Sequence, residues 1–507
     1  MCLVPKTAAV VSLPLRPRAS GATRLRWLYD EIRLGIVEGR LAPGSRLPST
    51  RSIARHYRVA RGTVVAAFDH LIAEGYVEGS VGIGTFVRRT SPGPAAESCT
   101  RIHAPSVAPL SAGGQRLASH PFPLRLPRPP EGDFRLDFPA LDAFSVNTWR
   151  RLAARALRAA PCDLLGHGEP LGYRPLRAAI CGYFGQTRGV KCAVEQVVIT
   201  GGTQQSLDLI ARLVLDPGDP VWMEDPGYAA ATSLLRGHGA EVIGVPVDEH
   251  GIDCEAGQRR SALARLAYVT PGGQFPLGVT LSLERRRALL QWALAARAWI
   301  FEDDYDSQLG FAGRPLVALQ SLDAAGCVIY SNSFSKMLFP SLRLAALIVP
   351  PQLVAAVSAA RSIVERFPPV LDQAILSEFI GGGYMEQHMR RMRELYTSRV
   401  ETLLETARRE LAGLIQFSPV RGGLQVVGWL APNIDEALAC RAARERGVLS
   451  IPLSQLCIDR QLPPAMVLGP ASTDVRAIRA GLRRLRKVLA VLRAGVRNER
   501  SAHSSLG

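Results

Sequence analysis

The sequence predicts an α/β protein of two domains, a small helix-turn-helix domain followed by a large domain built on a mostly parallel sheet. Between Thr23 and Arg89, two or three amphipathic helices precede an extended stretch punctuated by glycines. A segment rich in Pro, Ser and Gly follows, and this composition resists regular structure. Beyond about Phe134, helical patterns alternate with short β-branched or aromatic runs, as is typical of a parallel sheet covered by helices. These runs are QVVIT, PVWMED, AEVIGV, LAYVT, WIFED, CVIYS and RLAALIV.

Composition and charge narrow the class of protein. The 507 residues are 47% hydrophobic, which suits a large buried core. Lys and Arg number 61 against 44 Asp and Glu, a net charge of +17, and a basic balance of this size suggests an anionic partner. No stretch reaches 18 uninterrupted apolar residues, so no membrane partner is expected. Nine scattered cysteines without a CxxC pair predict reduced thiols in the cytoplasm and no metal site.

The N-terminal segment from Thr23 to Arg89 has the pattern of two helices joined by a short turn and followed by a wing. Ser49 is placed to cap the helix TRSIARHY, and VARGTVVAAFDHLIAEG predicts a second helix after a short turn. The following YVEGSVGIGTFV predicts two strands that form a β-wing. In such a module the second helix enters the major groove, so Arg61 and Thr63 are expected at base edges, with Arg46 and Arg51 near phosphates. Two helices whose arginines serve only solubility would show the same helix-turn-helix pattern, so the pattern alone does not establish DNA binding.

The exact residues of this segment are more specific than its helix-turn-helix pattern. GRLAPGSRLPSTRSIA, RGTVVAAFDHLIAEGYV and GIGTFV together resemble the winged-helix domain of GntR-type bacterial regulators. The resemblance implies that double-stranded DNA, as an operator, is the anionic partner, and that Ser49 belongs to the DNA-binding surface.

A lysine within SNSFSKMLFPSLRL, Lys336, follows the apolar run CVIY. A lysine that forms a Schiff base must be reachable, partly desolvated and close to groups that stabilise an electron-poor ring. WIFEDDYDSQ supplies Asp303, which would keep a pyridine nitrogen protonated, and Tyr305, which would reach the ring hydroxyl. Tyr228 in MEDPGYAA is expected to stack on a flat ring.

A phosphate cradle is predicted where VVITGGTQQSLDLIARL ends a strand in glycines and opens a helix, because the first turn of a helix has free N–H groups. Each of these signals alone is common in structural roles, so the prediction depends on their order and on their position at the carboxyl ends of predicted strands. The predicted phosphate contacts are Gly202, Thr203, Gln204, Ser333 and Arg343.

The large domain resembles a known enzyme fold. TPGGQFPLG, EDDYD, SFSK and LRLAAL resemble the class I aminotransferases of fold type I, which bind pyridoxal 5′-phosphate (PLP). YVTPGGQFPLGVTLSLERRRALL, FEDDYDSQL and GRPLVALQSLD are similar to the MocR group of regulators, in which a GntR-type winged helix is fused to such a domain. By this resemblance Lys336 is the Schiff-base lysine and the protein is a homodimer. The implied segments are a winged helix at 20–89, a linker at 90–133, a PLP-binding domain at 134–492 and a disordered basic tail at 493–507.

Several positions depart from the family pattern. His167 in HGEP stands where the family tends to have the tyrosine of YGDP, which reaches the neighbouring subunit's phosphate. TPGGQ places Gly272 and Gly273 where TPSHQ is usual, Leu277 replaces a threonine, and Gln425 replaces a histidine. These changes remove polar groups from the substrate side, so PLP attachment is expected to survive them better than transamination does.

Three functions remain open at this point. The first is a transcription regulator whose large domain senses PLP, or PLP joined to an effector amine or amino acid. The second is a working aminotransferase with a DNA-binding appendage, and the third is a DNA-binding protein whose large domain has lost the cofactor and only dimerises. The sequence favours the first, with slow or absent transamination, partly because the second arginine that clamps a substrate carboxylate has no clear counterpart. Arg421 is one candidate for that arginine.

Overall fold

The computed structural model divides the chain into two units, Met1–Pro109 and Leu110–Gly507, and each is described here by itself. The residues it describes are 13, 15–17, 23–80, 83–88, 109–121, 133–136, 138–159, 162–310, 317–418 and 423–504.

The first unit is a three-helix domain with a two-stranded wing. The turn between the second and third helices is short, and Arg58 enters it with a positive φ of 51°. Leu28, Ile32, Val64 and Phe68 form its buried core, which holds the first helix against the third. The wing strands are antiparallel, and Gly82, predicted in the wing, lies outside the described residues. The elements are α1 (Arg24–Val37), α2 (Thr50–Tyr57), α3 (Arg61–Ala73), β1 (Val77–Ser80) and β2 (Gly84–Val87).

The second unit is built on an eight-stranded sheet, which confirms the predicted architecture. Its order is β3-β10-β9-β8-β7-β4-β5-β6, with β9, β8, β7, β4 and β5 parallel and β10 antiparallel to both of its neighbours. Most of these strands are buried along their whole length because helices cover both faces of a parallel sheet. The strands are β3 (Val197–Thr200), β4 (Pro220–Asp225), β5 (Glu241–Asp248), β6 (Gly251–Ile252), β7 (Leu266–Val269), β8 (Trp299–Asp303), β9 (Val328–Ser333) and β10 (Ala345–Ile348).

A smaller antiparallel sheet follows, in the order β11-β12-β14-β13. Its apolar face packs against the long helices α15 (Tyr384–Glu410) and α17 (Val475–Ser504) through a core that includes Leu403, Met466, Leu482 and Leu485. Its strands are β11 (Ile415–Phe417), β12 (Val426–Leu430), β13 (Ile451–Pro452) and β14 (Ala465–Leu468).

Helices of the second unit cover both sheets. Helix α11 begins at a capped position, because the Ser282 side chain accepts from the backbone N–H of Arg285. The helices are α4 (Ala112–Ser119), α5 (Val146–Ala159), α6 (Cys162–Leu165), α7 (Arg174–Arg188), α8 (Thr203–Val214), α9 (Ala229–His238), α10 (Cys254–Arg260), α11 (Leu283–Ala296), α12 (Phe334–Met337), α13 (Pro351–Val364), α14 (Leu371–Gly381), α15 (Tyr384–Glu410), α16 (Glu436–Glu445) and α17 (Val475–Ser504). Within the ranges described above, no helix has the length and apolar character needed to cross a bilayer.

The structure differs from the sequence expectation in two segments. The predicted linker contains helix α4, which Ser111 caps and which packs against α9, with Leu117 close to Gly237 and Arg116 close to Gly239. The two close glycines let this helix approach α9. The predicted disordered tail is helical as far as Ser504, because α17 continues through it.

A buried ion pair joins α7 to the end of β8. Arg188 Nε lies 2.7 Å from Asp304 Oδ2, and both side chains are 1% exposed. Tyr330 donates a second hydrogen bond, of 2.6 Å, to the same oxygen. A charge this deeply buried is stable only while its partner is present, because low-dielectric surroundings give little other solvation.

Replacing Arg188 by Met should therefore lower the free energy of unfolding by about 3–5 kcal/mol, since it leaves Asp304 buried without its cation. Urea unfolding of the full chain measures the change. Arg174→Met on the same helix is the control, because its ion pair with Glu195 is exposed and its loss should have little effect. Equal, small changes in both variants would contradict this account.

Candidate functional site

A cavity of about 200 Å³ lies at the carboxyl ends of β3, β4, β7, β8 and β9. The structure brings together in its lining every residue that the sequence suggested for the cofactor, although these residues span about 140 positions of the chain. They are Gly202, Thr203, Gln204, Tyr228, Asp303, Tyr305, Ser333, Lys336 and Arg343. Side chains after parallel strands converge in this way because all these strands end at the same edge of the sheet.

Asp303 is the acidic group of the cavity. Its side chain accepts a 2.6 Å hydrogen bond from the Tyr268 hydroxyl and a 3.3 Å hydrogen bond from the Thr203 hydroxyl. Burial raises the pKa of Asp303 to about 7, while the two hydroxyl donors and Lys336 act in the opposite direction. The carboxyl group is thus poised to change its charge near neutral pH, and any positive group bound beside it would favour the carboxylate.

The anionic end of a ligand would be held at the start of α8. Gly202 precedes this helix with a φ of 131°, and a Cβ built there would lie 3.1 Å from two guanidinium nitrogens of Arg343. The glycine therefore lets Arg343 lie directly over the helix N-terminus. Ser335 Oγ and Gln204 Oε1 are buried here without a hydrogen-bond partner among the described residues. Free N–H groups, a guanidinium and the unpaired Ser335 hydroxyl in one corner can all donate to a phosphate group, whereas Gln204 Oε1 can only accept.

Aromatic rings form the floor of the cavity. The rings of Tyr228 and Tyr268 lie 6.5 Å apart with planes inclined by 27°, and Tyr268 stacks in turn on Phe301 at 5.6 Å. Tyr305 stands at the end of β8, and its hydroxyl accepts a 2.6 Å hydrogen bond from Gln425. Lys336, on the short helix α12 after β9, is half-buried. A flat ring placed here would meet a stacking surface, a carboxyl group and a lysine.

The positions at which this chain departs from the family pattern have structural consequences. A Cβ at Gly272 would lie 2.5 Å from Cβ of Ser307, and one at Gly273 would lie 3.0 Å from Oδ1 of Asp306. The space that larger residues would need is already filled by the segment after β8. Leu277 packs into an apolar cluster with Phe275.

Two further positions bear on the substrate side. The imidazole of His167 packs against the ring of Phe367, with centroids 5.7 Å apart. Arg421, the candidate carboxylate clamp, lies outside the described residues. Among the residues that the structure describes, no group of His, Cys, Asp or Glu side chains could hold a metal ion.

In the first unit, the residues suggested for DNA contact lie around α2 and α3. Arg61 is the first residue of α3 and is exposed, with Thr63 half-buried two positions on. Ser49 uses its oxygen to cap α2, accepting from the Ser52 N–H at 3.2 Å, and Arg51 is exposed in the same first turn. Arg46 packs beside the wing, where a Cβ at Gly84 would lie 2.8 Å from its Nε.

Sequence reasoning missed several lining residues. The run LAYVT predicts that Tyr268 lies in a buried strand, but nothing in it predicts that the hydroxyl donates to a carboxylate on the next strand. SFSK contains both Ser333 and Ser335, and the sequence prediction includes only Ser333. Leu136 and Phe138 line the cavity from a segment before the first strand of the sheet, where no pattern marks a ligand contact.

Comparison with known proteins assigns both units to families. Residues 26–87 match the family described as bacterial regulatory proteins of the gntR type, and residues 139–466 match aminotransferase class I and II.

Full-length relatives share this arrangement. A probable rhizopine catabolism regulatory protein, MocR, from Rhizobium meliloti is 39% identical over 469 residues, which cover 92% of this chain and 94% of that protein. The HTH-type transcriptional regulator TauR from Rhodobacter capsulatus is 34% identical, covering 87% of this chain and 91% of its own. Among solved structures, the α-aminoadipate aminotransferase LysN from Thermus thermophilus, complexed with N-(5′-phosphopyridoxyl)-L-leucine, has a TM-score of 0.67 and 28% identity. That match covers 76% of this chain and 96% of LysN.

The hydrogen bond from Tyr268 to Asp303 yields a pH-dependent prediction. Removing this donor in Tyr268→Phe should raise the pKa of Asp303, since the bond favours the carboxylate. Below its pKa the carboxyl is neutral and loses its attraction for a protonated ring nitrogen. PLP binding should therefore weaken by about tenfold at pH 7, and its decline on acidification should begin at higher pH than in the wild type.

Equilibrium titration with PLP across a pH series measures this shift. Thr203→Val, which removes the longer 3.3 Å bond to the other oxygen, should move the profile in the same direction by less. A Tyr268→Phe profile identical to that of the wild type would show that Asp303 does not govern binding.

Proposed function

Because the chain belongs to the MocR-type regulators, which join a GntR-type winged helix to an aminotransferase class I and II domain, it is a DNA-binding transcription regulator, and we propose that the cavity around Lys336 is its sensor site. Its cofactor is PLP, as the aminotransferase fold implies. The observation that supports the sensor site most directly is that Lys336, Asp303 and Arg343 line the same cavity. The effector is a small amine, an amino acid or PLP itself.

PLP supplies an electron-withdrawing ring and a carbonyl carbon that reacts with amines. In the proposed site the chain's own residues bind and orient it. Lys336 Nζ would be the covalent attachment point, and Asp303, which accepts from Tyr268, would keep a proton on the ring nitrogen. Tyr305 would contact the ring hydroxyl, and Tyr228 would stack on the ring.

The phosphate is proposed to lie at the start of α8. Helix N–H groups and the Arg343 guanidinium carry complementary charge there, and the unpaired Ser335 Oγ is available as a donor. These contacts would fix one end of the cofactor while ligands exchange at the other. The remaining phosphate contacts are proposed for Gly202, Thr203, Gln204 and Ser333.

Binding and catalysis make different demands on this site. Transamination needs a substrate clamped in one orientation, and loss of that orientation removes much of the rate gain. Gly272 and Gly273 carry no side chain, a Cβ at either position would meet Ser307 or Asp306, and Leu277 is apolar, so these three positions supply none of the polar side chains that the family pattern has there. Sensing needs only a ligand with different affinities for two conformations. We therefore propose a sensor, with turnover slow or absent; the alternative is an active aminotransferase that also binds DNA.

Two recognition helices are needed to read two half-sites, so the proposed functional form is a homodimer in the cytoplasm. On α3, Arg61 and Thr63 are the proposed base readers, because they lie in its first turn. Arg46 and Arg51 are the proposed phosphate contacts, and Ser49, which caps α2, belongs to the same proposed DNA-binding surface. A monomer mass in light scattering at micromolar concentration, with PLP and operator present, would exclude the dimer.

The attachment role of Lys336 is directly testable. Borohydride reduction of the PLP-loaded protein should fix the cofactor covalently, and Lys336→Ala should abolish that fixation. Lys191→Ala is the matched control, because Lys191 is exposed and lies outside the cavity. Mass spectrometry of the reduced peptides locates the adduct, and an adduct that persists in Lys336→Ala would assign attachment to another lysine.

DNA recognition should depend on Arg61 in a sequence-specific manner. Arg61→Ala should weaken operator binding by about 1–3 kcal/mol and leave binding to random DNA nearly unchanged, if its guanidinium reads a base. Fluorescence anisotropy with both DNAs, over a series of salt concentrations, measures this. Arg26→Ala is the control, since Arg26 is exposed on α1 and pairs with Asp30. Equal losses on both DNAs would make Arg61 a phosphate contact instead.

Sensor and enzyme predict opposite outcomes in a paired assay. A panel of amines, amino acids and keto acids is tested for conversion of PLP to pyridoxamine phosphate and, in parallel, for its effect on operator affinity. We expect at least one compound to change operator affinity with little turnover. Fast turnover without any effect on DNA binding would favour the aminotransferase.

A further inference from the structure

The cavity around Lys336 has both charged and apolar lining residues. The charged side chains that line it among the described residues are Asp303, Lys336 and Arg343, and the proposed function assigns all three to the cofactor. The lining also contains a set of aliphatic and aromatic side chains, the apolar wall. These are Leu136, Phe138, Tyr228, Phe275 and Pro340.

The apolar wall is a fixed part of the packing. Leu136 and Tyr228 pack into one cluster with Phe275, whose ring also meets Tyr305 at 6.2 Å. The segment that carries Leu136 is anchored two residues earlier by Phe134, which is fully buried and whose N–H donates a 2.7 Å hydrogen bond to Thr473. A ligand would therefore meet a preformed apolar surface at this wall.

We propose that this wall binds the apolar body of a primary amine that lacks a carboxylate, with its amino group directed toward Lys336 and the cofactor. This inference rests on the proposed function of the cavity as the sensor site, and it names the class of effector. An amine with an aliphatic or aromatic body gains by burying that body against Leu136, Phe138 and Phe275. A carboxylate in the same place would lose its hydration against hydrocarbon, which costs free energy unless a cation compensates.

One cation is close to this wall outside the cavity lining. The Arg135 guanidinium lies 5.3 Å from the centre of the Phe138 ring. Arg135 stacks on a residue that lines the cavity and is not itself part of the lining. A carboxylate ligand would have to draw it away from that ring.

Matched pairs of compounds test the proposal. 2-Phenylethylamine and L-phenylalanine differ only by the carboxylate, as do 3-methylbutylamine and L-leucine. Each is titrated into the full-length, PLP-loaded protein, and binding is followed by the change in the visible absorption of the cofactor and by operator affinity. Each amine should bind at least about tenfold more tightly than its amino acid, from the cost of burying a carboxylate against hydrocarbon.

A variant that adds a positive charge makes the test independent of absolute affinity. Leu136→Lys places a cation on the apolar wall, where Leu136 is half-buried, and should shift the preference toward the amino acid by about tenfold. Leu263→Lys is the matched control, because Leu263 is 75% exposed and precedes β7 at the opposite edge of the sheet. Stoichiometric PLP uptake by both variants shows that they remain folded.

The outcomes separate this inference from the function on which it rests. Amino acids that bind as tightly as the amines overturn it, and loss of that binding in Arg135→Gln would identify Arg135 as the carboxylate partner. An unchanged preference in Leu136→Lys also overturns it. If PLP is fixed at Lys336 but no amine perturbs it, the effector class is wrong while the cofactor site stands. If PLP is not held at Lys336, the proposed function itself fails.

Discussion

Three consecutive carboxyl groups at the end of β8 impose the constraint on which much of the large unit depends. Glu302, Asp303 and Asp304 are all buried, and the strand alternation sends Asp303 to the opposite face from its two neighbours. Buried carboxyl groups are stable only when donors or cations meet them. The structure supplies a different partner for each one.

Each partner ties a separate part of the chain to the same strand end. Glu302 accepts 2.8 Å hydrogen bonds from the N–H groups of Leu319 and Gln320, although burial still raises its pKa to about 7. Asp304 forms an ion pair with Arg188, the last residue of α7, and so fixes that end of the helix. Asp303 accepts from the hydroxyl groups of Tyr268 and Thr203, and the charge of Lys336 also favours its carboxylate, so this carboxyl faces the cavity. One strand end thereby supports the fold on one side and presents a functional carboxyl on the other.

A similar arrangement joins the smaller sheet to the site. Asp225, at the end of β4, accepts hydrogen bonds of 2.9–3.0 Å from the N–H groups of Ile458, Asp459 and Arg460. This holds the chain between β13 and β14 beside the strand that leads to Tyr228. A ligand that moves the apolar wall would act on residues already packed with the smaller sheet, such as Val427 and Val467. Such coupling needs only two arrangements with different ligand affinity, and this suits a regulator built on an enzyme fold.

The sequence by itself determined the order of elements and most of the candidate site. Short β-branched or aromatic runs that alternate with helical patterns predicted the strands, and SFSK, EDDYD and GGT put Lys336, Asp303 and Gly202 at predicted strand ends, which meet at one edge of a parallel sheet. It failed where structure depends on non-local packing. Helix α4 forms in a Pro- and Gly-rich segment because it packs against α9, and the tail is helical because α17 continues past the core. Only the tertiary structure decided that Tyr268 donates to Asp303, that Ser307 and Asp306 fill the space beside Gly272 and Gly273, and that Leu136 and Phe138 form an apolar wall. These contacts join residues far apart in the chain, and no local periodicity records which side chains will meet.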